Sequence, residues 1–226
     1  MMKNSVLIIG KKSFIGYNLN KYLKNFFNVD ILSFEDLHNN KYNINKYSHI
    51  INTAIHKNYI KKNYNIKFDL DRKIIDKFYN SNFKFIFMNT RKVYKPKINI
   101  SEKSKIKPID QYAKNKIKTE NYLKKKLKKN LISLRISNVL GKRPARNKRV
   151  AHDLFLDNFI KLKKKNKKIK VKNEFKDFIS INHLCLVIRK LIKNNIHGIF
   201  NVSLSKKIYI SEVTRWLSAN FYKKIT

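Results

Sequence analysis

Cysteine, glycine, proline and tryptophan are scarce in this chain, with one, four, three and one copies in 226 residues. A lone cysteine rules out a disulfide framework, and its neighbours Leu184, Leu186 and Val187 mark it as a buried thiol of a reducing cytosol. One cysteine and six histidines show no metal-ligand spacing, so no zinc site is expected. So little Gly and Pro leaves no room for long flexible linkers. No apolar run approaches the ~20 residues of a membrane span, and the longest runs are strand-sized. The start of the chain, Met-Met-Lys-Asn-Ser-Val-Leu-Ile-Ile-Gly, mimics a signal peptide, but its apolar stretch is only five residues long and gives way to Lys11 and Lys12. It reads as a first strand.

Acidic residues are scarce too. Fourteen Asp and Glu stand against 53 Lys and Arg, for a net charge of +39. Such a charge invites a nucleic-acid reading. Clusters at Lys124–Lys129 and Lys161–Lys170 fit it, but the excess is spread over the whole sequence. Lys (45), Asn (30) and Ile (31) fill nearly half the chain, and Tyr and Phe are frequent as well. All five share A/T-rich codons, so a biased genome accounts for them together, whereas DNA binding would account for Lys alone. The charge would still draw in anionic substrates.

At this length one domain with one sizeable core is expected. Strand-like and helix-like segments alternate. Strands are expected at Val6–Ile9, Val29–Phe34, His49–Thr53, Lys84–Met88, Leu131–Ile136 and Ile199–Val202. Helices are expected at Ile15–Phe26, Phe68–Asn80, Gln111–Lys129, Asp153–Lys165, His183–Lys193 and Ser211–Phe221, with Ser211 as the N-cap of the last. This order predicts an α/β fold: a Rossmann-like, doubly wound parallel sheet over residues 1–226. A small C-terminal substrate lobe is expected from 141–176 and parts of 203–226.

Within the run Gln111-Tyr-Ala-Lys-Asn-Lys116, a tyrosine precedes a lysine by four residues, which places both on one helix face. A phenol titrates near pH ~10 in water, too high for acid–base work at neutral pH. A neighbouring ammonium favours the phenolate and turns tyrosine into a proton shuttle. The surrounding runs are Ser5–Gly10, Lys11–Gly16, Phe83–Thr90, Arg91–Tyr94, Leu134–Gly141, Lys176–Leu184 and Gly198–Val202. In this order, from about Val6 to Leu217, they resemble the extended short-chain dehydrogenase/reductases, the nucleotide-sugar epimerases, dehydratases and reductases.

The resemblance implies that Gly10, Lys12, Ser13, Phe14, Ile15 and Gly16 form a dinucleotide-binding turn, with Ser13 where relatives carry a middle glycine. A serine brings a Cβ, but its hydroxyl could donate to a phosphate. Asn52, Thr53 and Ala54 resemble a turn against the cofactor's adenosine side. At the end of the second strand, Ser33 replaces the acid of NAD-preferring relatives, with Asp30 and Glu35 off register. Lys12 stands where some NADP users carry arginine, so the cofactor is NADP or NAD with a lean to NADP. Thr90 would orient the substrate oxygen whose proton Tyr112 handles, and Lys116 would lower the tyrosine's pKa and hold the nicotinamide ribose. Glu102, Pro108 and Glu120 would shape the surroundings, and Asn65 resembles an asparagine that opens a helix.

Asn138 resembles a substrate-touching asparagine. Lys176 replaces an arginine that grips substrate phosphate, keeping the charge without the planar fork. Asn182 replaces a usual aspartate. Arg91 and Lys92 follow Thr90 where dehydratases place acids, which disfavours dehydration against 4-keto reduction or epimerisation. The implied setting is cytoplasmic surface-polysaccharide biosynthesis, with a nucleotide-sugar substrate and a homodimer left open. A catalytically weak NADP-binding regulator of the same fold is the alternative.

Overall fold

A strand sends successive side chains to opposite faces, so the short apolar runs dictate two buried layers. The computed structural model describes residues 4–39, 42–78, 82–141, 159 and 174–220. Its strands are β1 (Ser5–Ile9), β2 (Asn28–Leu32), β3 (His49–Asn52), β4 (Lys84–Thr90), β5 (Leu131–Ile136), β6 (Asn138–Leu140), β7 (Phe175–Lys176), β8 (Phe178–Ser180), β9 (Gly198–Val202) and β10 (Ile208–Tyr209). Six pair in parallel, in the order β2-β1-β3-β4-β5-β9. Val6, Ile8, Ile51, Ile86, Met88, Ile132 and Leu134 pack on one face against α1 (Phe14–Leu23) and α6 (Ile181–Lys193). Leu7, Ile9, Ile50, Phe85, Phe87 and Leu131 pack on the other face against α4 (Leu70–Phe78) and α5 (Gln111–Leu127). Helices cover both faces, as a parallel sheet requires. Cys185 is buried in the first of these layers.

The chain leaves β1 outward to β2, then crosses back to β3 and continues the other way. The order therefore reverses between β1 and β3, and a crevice opens there at the carboxyl ends of the strands.

Two short helices were not expected, because neither is long enough to show a helical period: α3 (Lys57–Lys61), and α2 (Phe34–Asn39), which takes Phe34 from the end of the expected second strand. α7 (Ile210–Asn220) begins one residue before Ser211. Its first turn is closed by Glu212, whose carboxylate accepts from the Tyr209 N–H at 3.0 Å, so Ser211 is not the cap. β6 pairs with β8, and β7 with β10, as two small sheets beside the main one. The expected helix at 153–165, Phe159 excepted, and most of the lobe at 141–176 lie outside the described residues. Among the described residues no helix is long and apolar enough to cross a membrane.

Candidate active site

Gly10 follows β1 at the crevice with φ +111°, a conformation that favours glycine, and a Cβ there would lie 2.5 Å from Thr53 Oγ1. At Gly16 a Cβ would lie 2.5 Å from the Gly10 carbonyl oxygen. Both glycines are therefore demanded by close packing of the turn against α1 and the end of β3. Ser13 caps α1, accepting from Gly16 N at 2.8 Å, and donates its hydroxyl hydrogen to Thr53 Oγ1 at 2.7 Å. Thr53 in turn donates to the Ile9 carbonyl at 2.8 Å. The Ser13 hydroxyl thus ties the turn to β3 rather than pointing its hydrogen at a ligand. Phe14 is buried and Ile15 packs against the core, so of these two only the backbone faces the helix entrance. The turn and the start of α1 fit a pyrophosphate, since the first N–H groups of a helix lack internal partners and favour anions.

β4 ends at Thr90, which pairs with Ile136 of β5. α5 is the crossover from β4 to β5, so it starts at the carboxyl edge of the sheet and runs back down. Asp110 caps it, accepting from Ala113 N at 2.8 Å. Tyr112 therefore lies in the first turn, at the edge of the sheet where β4 ends in Thr90, and Lys116 lies one turn deeper. The Lys116 ammonium sits 4.4 Å from the Phe87 ring centroid and 6.0 Å from that of Tyr112. Its nearest charge is a residue that sequence reasoning missed. Asp71 of α4 pairs Oδ2 with Lys116 Nζ at 3.3 Å, their side chains 6% and 5% exposed. Asn52 donates from Nδ2 to the other carboxylate oxygen at 2.7 Å, and its own Oδ1 accepts from Ala54 N at 3.0 Å. Asn52 thus acts as a brace between the crevice turn and Asp71.

Burial would pull Lys116 down, but Asp71, with Tyr112 and Asp69, outweighs it and holds the ammonium above its ordinary value. Burial pushes Asp71 up to about 6, against the pull of Lys116. The contact with Lys116 and the amide bond from Asn52 both favour the charged carboxylate. Burial also pushes the Tyr112 phenol upward, Lys116 pulls it back, and Asp71 and Asp110 push again.

Glu120 fastens α5 to two strands. It accepts from Asn89 Nδ2 and Ser133 Oγ at 2.6 Å each and pairs with Arg135 Nη2 at 2.5 Å. Arg135 also donates to Tyr94 Oη, and Tyr94 donates to Asn201 Oδ1 at 3.0 Å. Glu102 accepts from Asn201 N at 2.7 Å. Two of the acids singled out in the sequence, Glu102 and Glu120, therefore hold the walls of the site.

Asn138 donates to the Asp177 carbonyl at 2.9 Å, so its amide is engaged within the small sheet. Lys176 sits 3.9 Å from Glu174, a loose pair. Asp177, between them and Phe178, accepts from Leu204 N and Ser205 N and anchors that loop. Lys92 pairs with Asp110 at 2.9 Å. Arg91 is half-buried; its burial lowers the guanidinium below its ordinary value, with Asp177 opposing. Asn65 caps the 3-10 turn at Ile66–Phe68, and α4 is instead opened by Asp69, which accepts from Arg72 N at 3.0 Å.

At the end of β2, Ser33 and Asp36 cap α2 reciprocally: Asp36 N donates to Ser33 Oγ at 3.0 Å and Ser33 N to Asp36 Oδ2 at 3.3 Å. The Ser33 bonds hold the Asp36 carboxyl below its ordinary range, helped by Lys11 and Lys12. Asp36 thus feels both lysines, and the serine–x–x–aspartate spacing was its signal in the sequence. Asp30 faces elsewhere, accepting from Tyr47 Oη at 2.5 Å and pairing with Lys46.

The sequence from Gly16 to Ser203 matches the family model described as the NAD dependent epimerase/dehydratase family. No curated protein sequence matches the chain. Among solved structures, it is similar to UDP-N-acetylglucosamine 4-epimerase from Methanobrevibacter ruminantium M1, in complex with UDP-N-acetylmuramic acid. That likeness has a TM-score of 0.77 and 20% identity, over 100% of this chain and 84% of the other. It is similar to dTDP-4-dehydrorhamnose reductase from Bacillus anthracis in complex with NADP, with a TM-score of 0.76 and 19% identity over 97% and 82%. It is also similar to dTDP-glucose 4,6-dehydratase from the same organism in complex with NAD, with a TM-score of 0.72 and 14% identity over 96% and 81%. At such identities the structures share the fold. With the family match covering most of its length, this chain belongs to the NAD dependent epimerase/dehydratase family, among the extended short-chain dehydrogenase/reductases.

Proposed function

We propose that the protein is an NAD(P)-dependent enzyme acting on a nucleotide-linked sugar, by 4-keto reduction or epimerisation. The observation that carries this reading is the buried Lys116 ammonium 6.0 Å from the Tyr112 ring, on a helix that starts at the sheet edge where β4 ends in Thr90. The family and the nucleotide-sugar enzymes among its structural relatives support it. A nicotinamide dinucleotide, when bound, supplies hydride transfer. Gly10, Ser13 and Gly16 would shape the pyrophosphate turn, Asn52, Thr53 and Ala54 would border the adenosine side, and Lys116 would hold the nicotinamide ribose.

Tyr112 exchanges a proton with the sugar oxygen, and Thr90 orients that oxygen. Asn138 and Lys176 border the substrate, and no acid follows Thr90 to serve a dehydration. NADP is the preferred cofactor in this reading, because Ser33 stands where NAD-preferring relatives carry an acid and Lys11 and Lys12 flank the turn. Surface-polysaccharide assembly is the destination it gives the product.

The test is turnover of keto and hydroxyl nucleotide-sugars by the parent and by Tyr112→Phe. The variant should keep its fold and cofactor affinity while losing ~10²-fold or more in kcat, the usual effect of removing a positioned acid–base group. Equal kcat would remove Tyr112 from the mechanism. Cofactor binding without turnover in the parent would select the regulatory alternative.

A further inference from the structure

Asp71 plays no part in the chemistry just described, yet it touches the lysine on which that chemistry depends. Its two oxygens are both taken, one by Lys116 Nζ at 3.3 Å and one by Asn52 Nδ2 at 2.7 Å. The carboxylate is held in register from the next residues as well. Asp69, two positions earlier, accepts from Thr119 Oγ1 at 2.6 Å and from Tyr64 Oη at 2.9 Å, docking the start of α4 on α5. Tyr59 of α3 closes the cluster, edge-on to Tyr112 at 6.4 Å between ring centroids. Burying an ion is costly unless it is paired and hydrogen-bonded, and this pair is both.

We propose that Asp71 is a positioning residue for Tyr112: it anchors the Lys116 ammonium beneath the tyrosine and offsets its charge, so that Tyr112 keeps its proton and serves as the donor in ketone reduction. The proposal rests on the reading of Tyr112 as the acid–base group and narrows it to one direction. An epimerase or an alcohol-oxidising enzyme begins by accepting a proton at this tyrosine; a reductase begins by giving one.

The charged and titratable groups around Tyr112 come from four places. Lys116 is on its own helix, and Asp110, at the helix cap, is paired with Lys92 of the turn after β4. Asp71 comes from α4, with Asp69 behind it, and Tyr59 from α3. Lys116, the cation that among the described residues bears on the phenol, is thus matched by a carboxylate in contact with it. In the reduction, the carbonyl carbon takes a hydride from a dihydronicotinamide. The carbonyl oxygen takes the Tyr112 proton, and the phenolate left behind is reprotonated from water.

The proton on Tyr112 can be followed without turnover. The full chain, labelled with ¹³Cζ-tyrosine, is titrated by NMR, with the Tyr112 signal identified by its loss in Tyr112→Phe. Asp71→Asn should ionise Tyr112 about one pH unit or more below the parent, roughly tenfold more phenolate at a given pH. Asp71→Glu, which keeps the charge, should restore the parental curve. The alkaline fall of the reduction rate should move with the NMR midpoint. If Asp71→Asn does not fold, the comparison is Lys116→Met with Asp71→Asn/Lys116→Met. There the double variant should ionise Tyr112 at the lower pH.

Coincident titration curves in either comparison would overturn the role of Asp71 and leave the proposed function standing. A Tyr112→Phe variant with the parental kcat would overturn the reading of Tyr112 as the acid–base group, on which this role rests, whatever the titration shows.

Discussion

A 2′-phosphate carries charge that a ribose hydroxyl lacks, so single side chains near the end of β2 can set cofactor choice. Lys12 and Asp36 pull in opposite directions there. Lys12→Ala should weaken NADP binding roughly tenfold and leave NAD nearly unchanged, as expected for loss of a charge-assisted contact. Asp36→Asn should instead tighten NADP. Equilibrium titrations with both cofactors check this, and equal losses for both in Lys12→Ala would end the NADP reading.

His49 offers a prediction of a different kind. It is buried, its Nε2 meets no hydrogen-bond partner among the described residues, and burial with Lys84 nearby lowers its pKa to about 4. The unfolded chain binds the proton near pH ~6.5, so the folded state is fully favoured above that value and loses ground as pH falls toward 4. By pH 5 the loss is about 2 kcal/mol. Denaturant unfolding at pH 7 and pH 5 should show this extra loss in the parent and not in His49→Gln.

At the scale of the element, α5 carries both the chemistry and the anchors that aim it. Its Asp110 cap came to light only in the fold, whereas its Tyr112–Lys116 spacing and most of its length were legible in the sequence because they are local. The anchors were only partly so. Glu120 was marked by resemblance, but Arg135, fifteen residues on in β5, becomes its partner only when the strand docks beneath the helix. Glu120→Ala should therefore cost about 3–5 kcal/mol, because it leaves a buried guanidinium unpaired. It should also cut turnover, since Asn89 beside Thr90 loses its acceptor. Denaturation midpoints measure the first effect. A loss below about 1 kcal/mol would show that water or another acid takes over Arg135. The small pairs β6–β8 and β7–β10 escaped sequence reasoning for a related reason: strands of two or three residues have no period to read.

Across the whole molecule, a net charge of +39 on 226 residues must repel itself. Raising salt from ~0.1 M to ~1 M shortens the screening length from ~10 Å to ~3 Å, so the melting temperature should rise with salt. A flat or falling Tm would mean that local ion pairs outweigh the general field. The sequence by itself determined the α/β class, the parallel sheet, the glycines of the turn after β1 and the placing of Tyr112 and Lys116 on one helix face. Each follows from side-chain alternation, from residues with special backbone freedom, or from a short spacing on one helix. The tertiary structure alone decided which charges meet. In sequence Asp71 is one acid among the charged residues of α4, and nothing local distinguishes it from the exposed Asp76. It becomes the partner of Lys116, 45 residues away, only because α4 and α5 pack side by side on one face of the sheet and shut both from water. Burial is a property of the packed chain, and in this protein burial turns an ordinary aspartate into the counter-charge of the candidate catalytic lysine.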